Sequence, residues 1–177
     1  MRRVITGVVG GNAVFLADGE PSNRHEYAGW PGHMTSVIWA TAATPALPVS
    51  LGGEPKPGIV VSPAPGETRL MLVRFPPDSI FADPRFDGPG YAAEAGVHLK
   101  GLIDAFEPDG NGMHRTDSID YDVVIDGEIW LELDDGVETC LRTGDVVVQG
   151  GTRHAWRNKS AKDAVMLFVL VGAKRAD

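Results

Sequence analysis

Three titratable side chains in the C-terminal part of the chain have types and spacing suited to chemistry inside a β-barrel. His114 and Asp120 share the parity of Thr116, so on one regular strand all three would face the same side. His154 follows a strand-like stretch and a Gly-Gly-Thr turn. Two imidazoles and one carboxylate that meet in this way could hold a divalent transition metal, with positions left open for substrate or water.

The same residues could also work without a metal. A histidine can serve as a general base, and a neighbouring carboxylate such as Asp120 can orient its ring. A third hypothesis is a metal-free pocket in which these groups hydrogen-bond one another. The sequence leaves all three hypotheses open.

Three further residues are predicted to bind the ligand in this pocket. Asp122 shares the parity of Asp120 on the predicted strand. Trp156 lies two residues beyond His154, where its ring could form a wall. Thr116 completes the set, because it lies between His114 and Asp120 on the same predicted face.

The elements that must position these residues are short β-strands. Asp-Gly and Thr-Gly pairs separate apolar runs from residue 113 onward, and such pairs suit tight hairpin turns. The strands predicted in this region are 119–125, 128–133, 138–142, 145–149 and 165–171. Short strands at this spacing are typical of a sandwich or barrel.

The first 111 residues have a mixed pattern. Strands are predicted at 3–9, 13–16, 36–41 and 69–75, with at most one more at 59–61. Residues 44–67 are rich in Pro and Gly and predict a long loop. Apolar residues recur at helical spacing over 91–107, so we expect an amphipathic helix there that covers an opening or an edge of the barrel.

Composition excludes several classes of function. The chain has 177 residues and a formal net charge of -8, so nucleic acid is an unfavourable partner. One cysteine permits no internal disulfide, and no apolar run approaches the roughly 18 residues that a membrane span needs. The apolar start breaks at Gly7 without a signal-peptide cleavage site, so we expect a cytoplasmic protein.

Residues 112–158 resemble the two sequence motifs of the cupin superfamily. His114 corresponds to the first His of the first motif. Thr116 stands where that motif has its second His, and Asp120 stands where it has Glu. Gly127 follows after six residues, as in the motif.

The second cupin motif is matched from Gly144 to Asn158. Gly151 and Asn158 match its later Gly and its Asn, and His154 corresponds to its metal-binding His. Gln149 replaces the usual Pro. The stretch 113–121 is also similar to a subgroup of small bacterial and fungal cupins that mostly lack an assigned reaction.

The resemblance implies an all-β cupin fold, a double-stranded, jelly-roll-like β-barrel. Residues 1–177 would form a single domain with N-terminal strands and loops at 1–68, a strand plus helix at 69–111 and the motif core at 112–171. A divalent Zn, Fe, Mn or Ni ion would be held by His114, Asp120 and His154, or no metal would bind, because Thr116 replaces an imidazole. Small cupins of this kind pair through N-terminal strands, so a homodimer is expected.

The resemblance leaves two main hypotheses about function. The first is an enzyme that acts on an oxygen-rich metabolite in the barrel interior, with metal-assisted or acid–base lyase, decarboxylase, isomerase or dioxygenase chemistry. The alternative is a non-catalytic module that binds a small ligand. A storage or scaffold barrel is less favoured, because buried polar groups cost stability unless they are satisfied.

Overall fold

The computed structural model describes residues 1–51 and 54–176, and antiparallel strands dominate it. The strands are β1 (Arg3–Val9), β2 (Asn12–Gly19), β3 (His25–Glu26), β4 (Met34–Thr41), β5 (Thr68–Phe75), β6 (Ser118–Asp126), β7 (Glu128–Glu132), β8 (Glu138–Arg142), β9 (Val146–Gln149), β10 (Ala155–Arg157) and β11 (Ala164–Gly172). An α-helix, α1, spans Gly88–His98, and short 3-10 helices occur at Asp78–Ala82, Ile103–Ala105 and Asp134–Gly136.

The strands form two facing sheets and a separate hairpin. The larger sheet has the order β3-β4-β5-β11-β6-β9, the smaller one the order β10-β7-β8, and β1 pairs with β2 alone. Ile129 of the smaller sheet belongs to the same buried cluster as Met166 and Val124 of the larger one. The two sheets therefore enclose one core, and the predicted all-β barrel is confirmed.

Strand β11 shows how the sequence pattern builds this core. Its side chains alternate strictly between buried and half-buried, because successive residues of a strand face opposite sides of the sheet. Phe168 lies on the inner face, paired with Met71 of β5 on one side and Asp122 of β6 on the other. The inner face of β6 therefore carries acidic side chains into an apolar interior.

The helix differs from its predicted bounds of 91–107. It begins at Gly88, where Asp87 Oδ1 accepts a hydrogen bond from the Gly90 amide at 3.0 Å, and it ends at His98. Gly101 then adopts a φ of +83°, a conformation that ends the helical path. Leu102 and Ile103 still pack against the core from the turn that follows, which explains why the helical spacing continues in the sequence.

The strand that the sequence allowed at 59–61 does not form. These residues are irregular, although the Val61 side chain is fully buried. The Val61 amide donates to the Lys100 carbonyl at 2.8 Å, so the main chain pairs with the loop after α1 instead of a strand. Within the described ranges, no helix has the length and apolarity that crossing a membrane would require.

Candidate functional site

A cavity of about 910 Å³ lies in the barrel. Both sheets, α1 and the segment between α1 and β6 contribute to its wall. The chain has six Phe, four Trp and three Tyr residues. Eight of these aromatic residues line the cavity: Trp30, Phe75, Phe81, Phe86, Tyr91, Phe106, Trp156 and Phe168. A mostly apolar wall with a few polar groups is the usual character of a small-molecule site.

The structure brings five of the six predicted site residues to this cavity. The lining includes His114, Thr116, Asp120, His154 and Trp156. The sixth, Asp122, also faces the interior and is almost completely buried, but it is absent from the cavity wall. It lies deeper, between Phe168 and Val147 of the neighbouring strands.

A short main-chain bridge holds the two histidines side by side. The His114 amide donates to the His154 carbonyl at 2.9 Å, and the His154 amide donates back at 3.0 Å. His114 and Thr116 precede β6, so they do not share a regular strand with Asp120. Buried and exposed side chains still alternate from His114 to Asp120. His114, Thr116 and Asp120 therefore all face the interior, as the sequence predicted.

Main-chain carbonyls orient both imidazoles. His114 Nδ1 lies 3.1 Å from the Gly112 carbonyl oxygen, and His154 Nδ1 lies 2.9 Å from the Thr152 carbonyl oxygen. Because a carbonyl oxygen only accepts, each Nδ1 carries the proton and donates it. Nε2 of each neutral ring is then a hydrogen-bond acceptor. Asp120 does not orient either ring, contrary to the general-base arrangement considered from the sequence.

Burial keeps both imidazoles neutral near neutral pH. Burial, together with a smaller effect of the adjacent His154, lowers the pKa of His114 to about 4. Burial also lowers the pKa of His154. The two ring centroids are 4.3 Å apart, so a charge on one ring disfavours a charge on the other. This end of the cavity therefore presents two neighbouring acceptor nitrogens.

Asp120 and Asp122 form a buried carboxyl pair on β6. Burial raises the pKa of Asp120 to about 6, and burial followed by the charge of Asp120 raises the pKa of Asp122 to about 8. The Oδ1 atom of each is buried without a hydrogen-bond partner among the described residues. Between these two pKa values the pair carries one proton and one negative charge.

The side chains as arranged do not fit the predicted metal site. In the described part of the chain, no group of three His, Cys, Asp or Glu side chains lies close enough together to hold a metal ion. Thr116, in the position of a cupin imidazole, accepts a hydrogen bond from Ser118 Oγ at 2.9 Å. Two imidazoles alone make a weak site for a transition metal. The metal set therefore stays a prediction, and no step below uses a metal.

Two residues of the wall were missed from the sequence. His33 is 3% exposed, its Nδ1 donates to the Arg74 carbonyl at 2.9 Å, and its ring stacks on Trp30 at 4.2 Å. Phe106 stacks on His114 at 4.3 Å with an interplanar angle of 18°. Both lie in stretches without strand periodicity, so only the folded chain reveals their place in the wall.

No protein-family model matches the chain. Among curated proteins, the phomopsin biosynthesis cluster protein C' of Diaporthe leptostromiformis is 49% identical over 88 residues, which are 49% of this chain and 46% of that protein. The cupin-domain-containing oxidoreductase fogC of Aspergillus ruber is 40% identical over 86 residues, 44% of this chain and 42% of that protein. The chain thus spans about half the length of the curated relatives it matches.

Some solved structures are similar to this chain at low sequence identity. A cupin 2 conserved barrel domain protein of Salinispora arenicola is 18% identical and aligns with 67% of this chain and 71% of that chain, with a TM-score of 0.37. Two of the curated relatives, from Aspergillus ruber and Hypocrea virens, are named as cupin-domain-containing oxidoreductases, and the chain is similar to them over 44% and 35% of its length.

Proposed function

We propose that this chain is a cupin and a small-molecule enzyme that transfers a proton in the barrel cavity. One observation carries the proposal: three buried titratable side chains, His114, Asp120 and His154, line a cavity whose wall is otherwise mostly apolar. None of the three forms an ion pair with a described residue. Buried titratable groups that are not used in structural ion pairs mark a candidate catalytic site.

Each of the three side chains has its own role in this proposal. Asp120 is the proton donor or acceptor, because its carboxyl lines the cavity and its Oδ1 has no competing partner among the described residues. His114 and His154 hold the substrate through their acceptor Nε2 atoms. Trp156 meets the His154 ring edge to face at 5.9 Å and so restricts its movement. Among the reaction classes predicted from the sequence, isomerase and lyase reactions can proceed by proton transfer alone.

The composition of the cavity wall indicates how polar the substrate is. The sequence led us to expect an oxygen-rich metabolite, but such a molecule would bury polar groups against aromatic rings without hydrogen-bond partners. A mostly apolar molecule with one polar group matches the wall better. The names of the curated relatives support a role in small-molecule metabolism, since they include biosynthesis cluster proteins and cupin-domain-containing oxidoreductases.

The test is conversion of small molecules by the purified protein. A panel of neutral alcohols, aldehydes and ketones would be incubated with the wild-type protein, Asp120→Asn and Asp104→Asn, and followed by liquid chromatography and mass spectrometry. Asp104 is an exposed carboxyl outside the cavity wall, so its variant is the matched control. We expect Asp120→Asn to lower the rate by about 10²-fold or more, the usual contribution of general acid–base catalysis. Equal rates in both variants would contradict the proposal.

A ligand-binding protein without turnover is the second candidate. The observation that favours it is the high share of aromatic side chains in the wall, which suits retention of an apolar molecule. In the same experiment, a compound that raises the melting temperature of the protein and is recovered unchanged would support this function over the enzymatic one.

A further inference from the structure

We infer that the molecule bound in the cavity is a neutral aromatic alcohol or phenol whose hydroxyl group lies between His114 and His154. The inference rests on the proposed function and names the substrate class of the same site. Three observations support it. Aromatic rings line the cavity without a break, the positively charged side chain of the wall is already paired, and both imidazoles offer a hydrogen-bond acceptor.

Aromatic rings form an unbroken series along the cavity, beginning at the histidine pair. His114 stacks on Phe106 on one side and meets His154 on the other, with ring centroids 4.3 Å apart in both cases. The series continues from His154 to Trp156 at 5.9 Å and from Trp156 to Phe168 at 5.7 Å. The spacings of 5.7 and 5.9 Å lie within the range of about 4.5 to 7 Å that is favourable for aromatic pairs, and the two of 4.3 Å lie just below it.

The series then crosses to the side of the cavity formed by β5 and the segment before β4. Phe168 meets Phe75 at 6.3 Å, Phe75 meets His33 at 5.8 Å, and His33 stacks on Trp30 at 4.2 Å. Tyr91 of α1 meets Trp30 edge to face at 5.0 Å. A planar aromatic body can therefore contact ring faces or edges along the whole cavity, whereas a flexible polar chain finds few partners.

The charged residues around the cavity argue against an acidic ligand. Among the described residues of the wall, Arg157 is the only Lys or Arg, and its Nε donates to Glu132 at 2.6 Å. Glu107 is likewise held by Arg153. No unpaired cation of the described wall is thus left to pair with a carboxylate or phosphate group. A neutral ligand adds no second charge to a wall in which Asp120 already lies buried without an ion pair to a described residue.

The two imidazoles select the polar group of the ligand. Their Nδ1 protons are committed to the carbonyls of Gly112 and Thr152, so each Nε2 can only accept. A carbonyl or ether oxygen also only accepts and would leave both nitrogens unpaired. A hydroxyl group can donate to either Nε2 and keeps the ligand neutral. A protonated amine could donate as well, but its charge would need Asp120 as a partner, whereas a neutral hydroxyl needs none. The amine probe separates the two.

The experiment measures binding of four matched naphthalene probes by isothermal titration calorimetry. The probes are 2-naphthol, 2-methoxynaphthalene, 2-naphthoic acid and 2-naphthylmethylamine, with glucose as an oxygen-rich probe. We expect 2-naphthol to bind at least about tenfold more tightly than 2-methoxynaphthalene, because a site built around hydrogen-bond acceptors rejects a ligand that cannot donate. We expect the acid and glucose not to bind at millimolar concentration.

Variants assign the effect to the residues named. Because either Nε2 can accept the hydroxyl proton, the double variant His114→Ala/His154→Ala should reduce the preference for 2-naphthol over 2-methoxynaphthalene to less than about threefold. Trp156→Leu should weaken both probes about equally, since it shortens the aromatic wall. Trp130→Leu is the matched control, because Trp130 is a partly buried tryptophan outside the cavity wall. Circular dichroism would check that each variant is folded.

The possible outcomes separate this inference from the proposed function. Tighter binding of the acid, the amine or glucose than of 2-naphthol would overturn the inference, as would an unchanged probe preference in the folded double histidine variant. Binding in the expected order without conversion of any alcohol would support the ligand class and count against the enzymatic role. Conversion of another class of compound, with no binding of 2-naphthol, would support an enzyme and overturn the aromatic alcohol.

Discussion

His114 and His154 exchange both main-chain hydrogen bonds, at 2.9 and 3.0 Å, and their ring centroids lie 4.3 Å apart. The bridge joins the two segments that carry the sequence motifs. Because the backbone positions both rings and the carbonyls of Gly112 and Thr152 orient them, the histidine pair does not depend on a metal or on Asp120 for its geometry. Its two Nε2 acceptors are therefore organised before any ligand binds.

The first prediction concerns Asp122, which is buried and has a pKa raised to about 8 by burial and by the charge of Asp120. A carboxyl whose folded pKa lies above its unfolded value of 3.8 holds its proton more tightly in the folded state, so it destabilises the fold as pH rises between the two values. Asp122→Asn removes this cost.

We expect the free energy of unfolding of Asp122→Asn to exceed that of the wild type by an amount that grows from pH 5 to pH 8. The limiting slope for one proton is about 1.4 kcal/mol per pH unit, and the coupling to Asp120 reduces it. Urea denaturation at several pH values measures this difference. A difference independent of pH would show that Asp122 is not the titrating group.

The second prediction concerns His33, whose pKa is lowered by burial to about 3. Below its unfolded value of 6.5, the unfolded chain takes up a proton that the folded chain excludes, so stability is present above pH 6.5 and is lost as pH falls toward 3. His33→Asn keeps a donor for the Arg74 carbonyl but does not titrate.

Acid denaturation profiles of the wild type and His33→Asn should diverge below pH 6.5. We expect the wild type to lose up to about 1.4 kcal/mol per pH unit more than the variant between pH 6 and pH 4. The difference between the two profiles cancels the titration of the other buried groups. Parallel profiles would mean that His33 is accessible to protons in the folded chain.

The third prediction tests the turn between β6 and β7. Gly127 has a φ of +80°, and a Cβ at this position would lie 2.6 Å from the Asp163 carbonyl oxygen. We expect Gly127→Ala to lower the free energy of unfolding by about 2 kcal/mol or more, because both the left-handed conformation and the backbone contact are unfavourable. Thermal unfolding measures the loss.

Gly150→Ala is the control for the turn variant. Gly150 has no left-handed φ, and a Cβ there would meet no atom within 4 Å. Its substitution should change the free energy of unfolding by less than about 0.5 kcal/mol. Equal losses in the two variants would argue that the β6–β7 turn tolerates a side chain.

The fourth prediction concerns metal content. Because the described residues bring two imidazoles together without a third protein ligand in reach, we expect no stoichiometric transition metal in protein purified without a histidine tag. Elemental mass spectrometry of the wild type and His114→Ala measures it. Near one equivalent of metal that disappears in the variant would show that Asp120 or another group moves to complete the predicted site.

Local sequence patterns were sufficient for nine of the eleven β-strands in the described residues and for the inward direction of the motif residues. The short strands β3 and β10 were not predicted. A strand has a period of two, so the parity of His114, Thr116 and Asp120 could be read from their numbers alone. The same argument identified Asp122 as an interior residue, although its depth below the cavity wall depends on Phe168 and on its other neighbours across the sheet.

Long-range contacts decided the rest of the site. The helical spacing over 91–107 did not reveal that the helix ends at His98, because Leu102 and Ile103 pack on the core from a turn as well as they would from a helix. The aromatic wall contains Trp30, Phe75 and Phe106, which come from segments that are far apart in the chain. The acceptor character of the imidazoles depends on hydrogen bonds made only after folding, and no local periodicity encodes them.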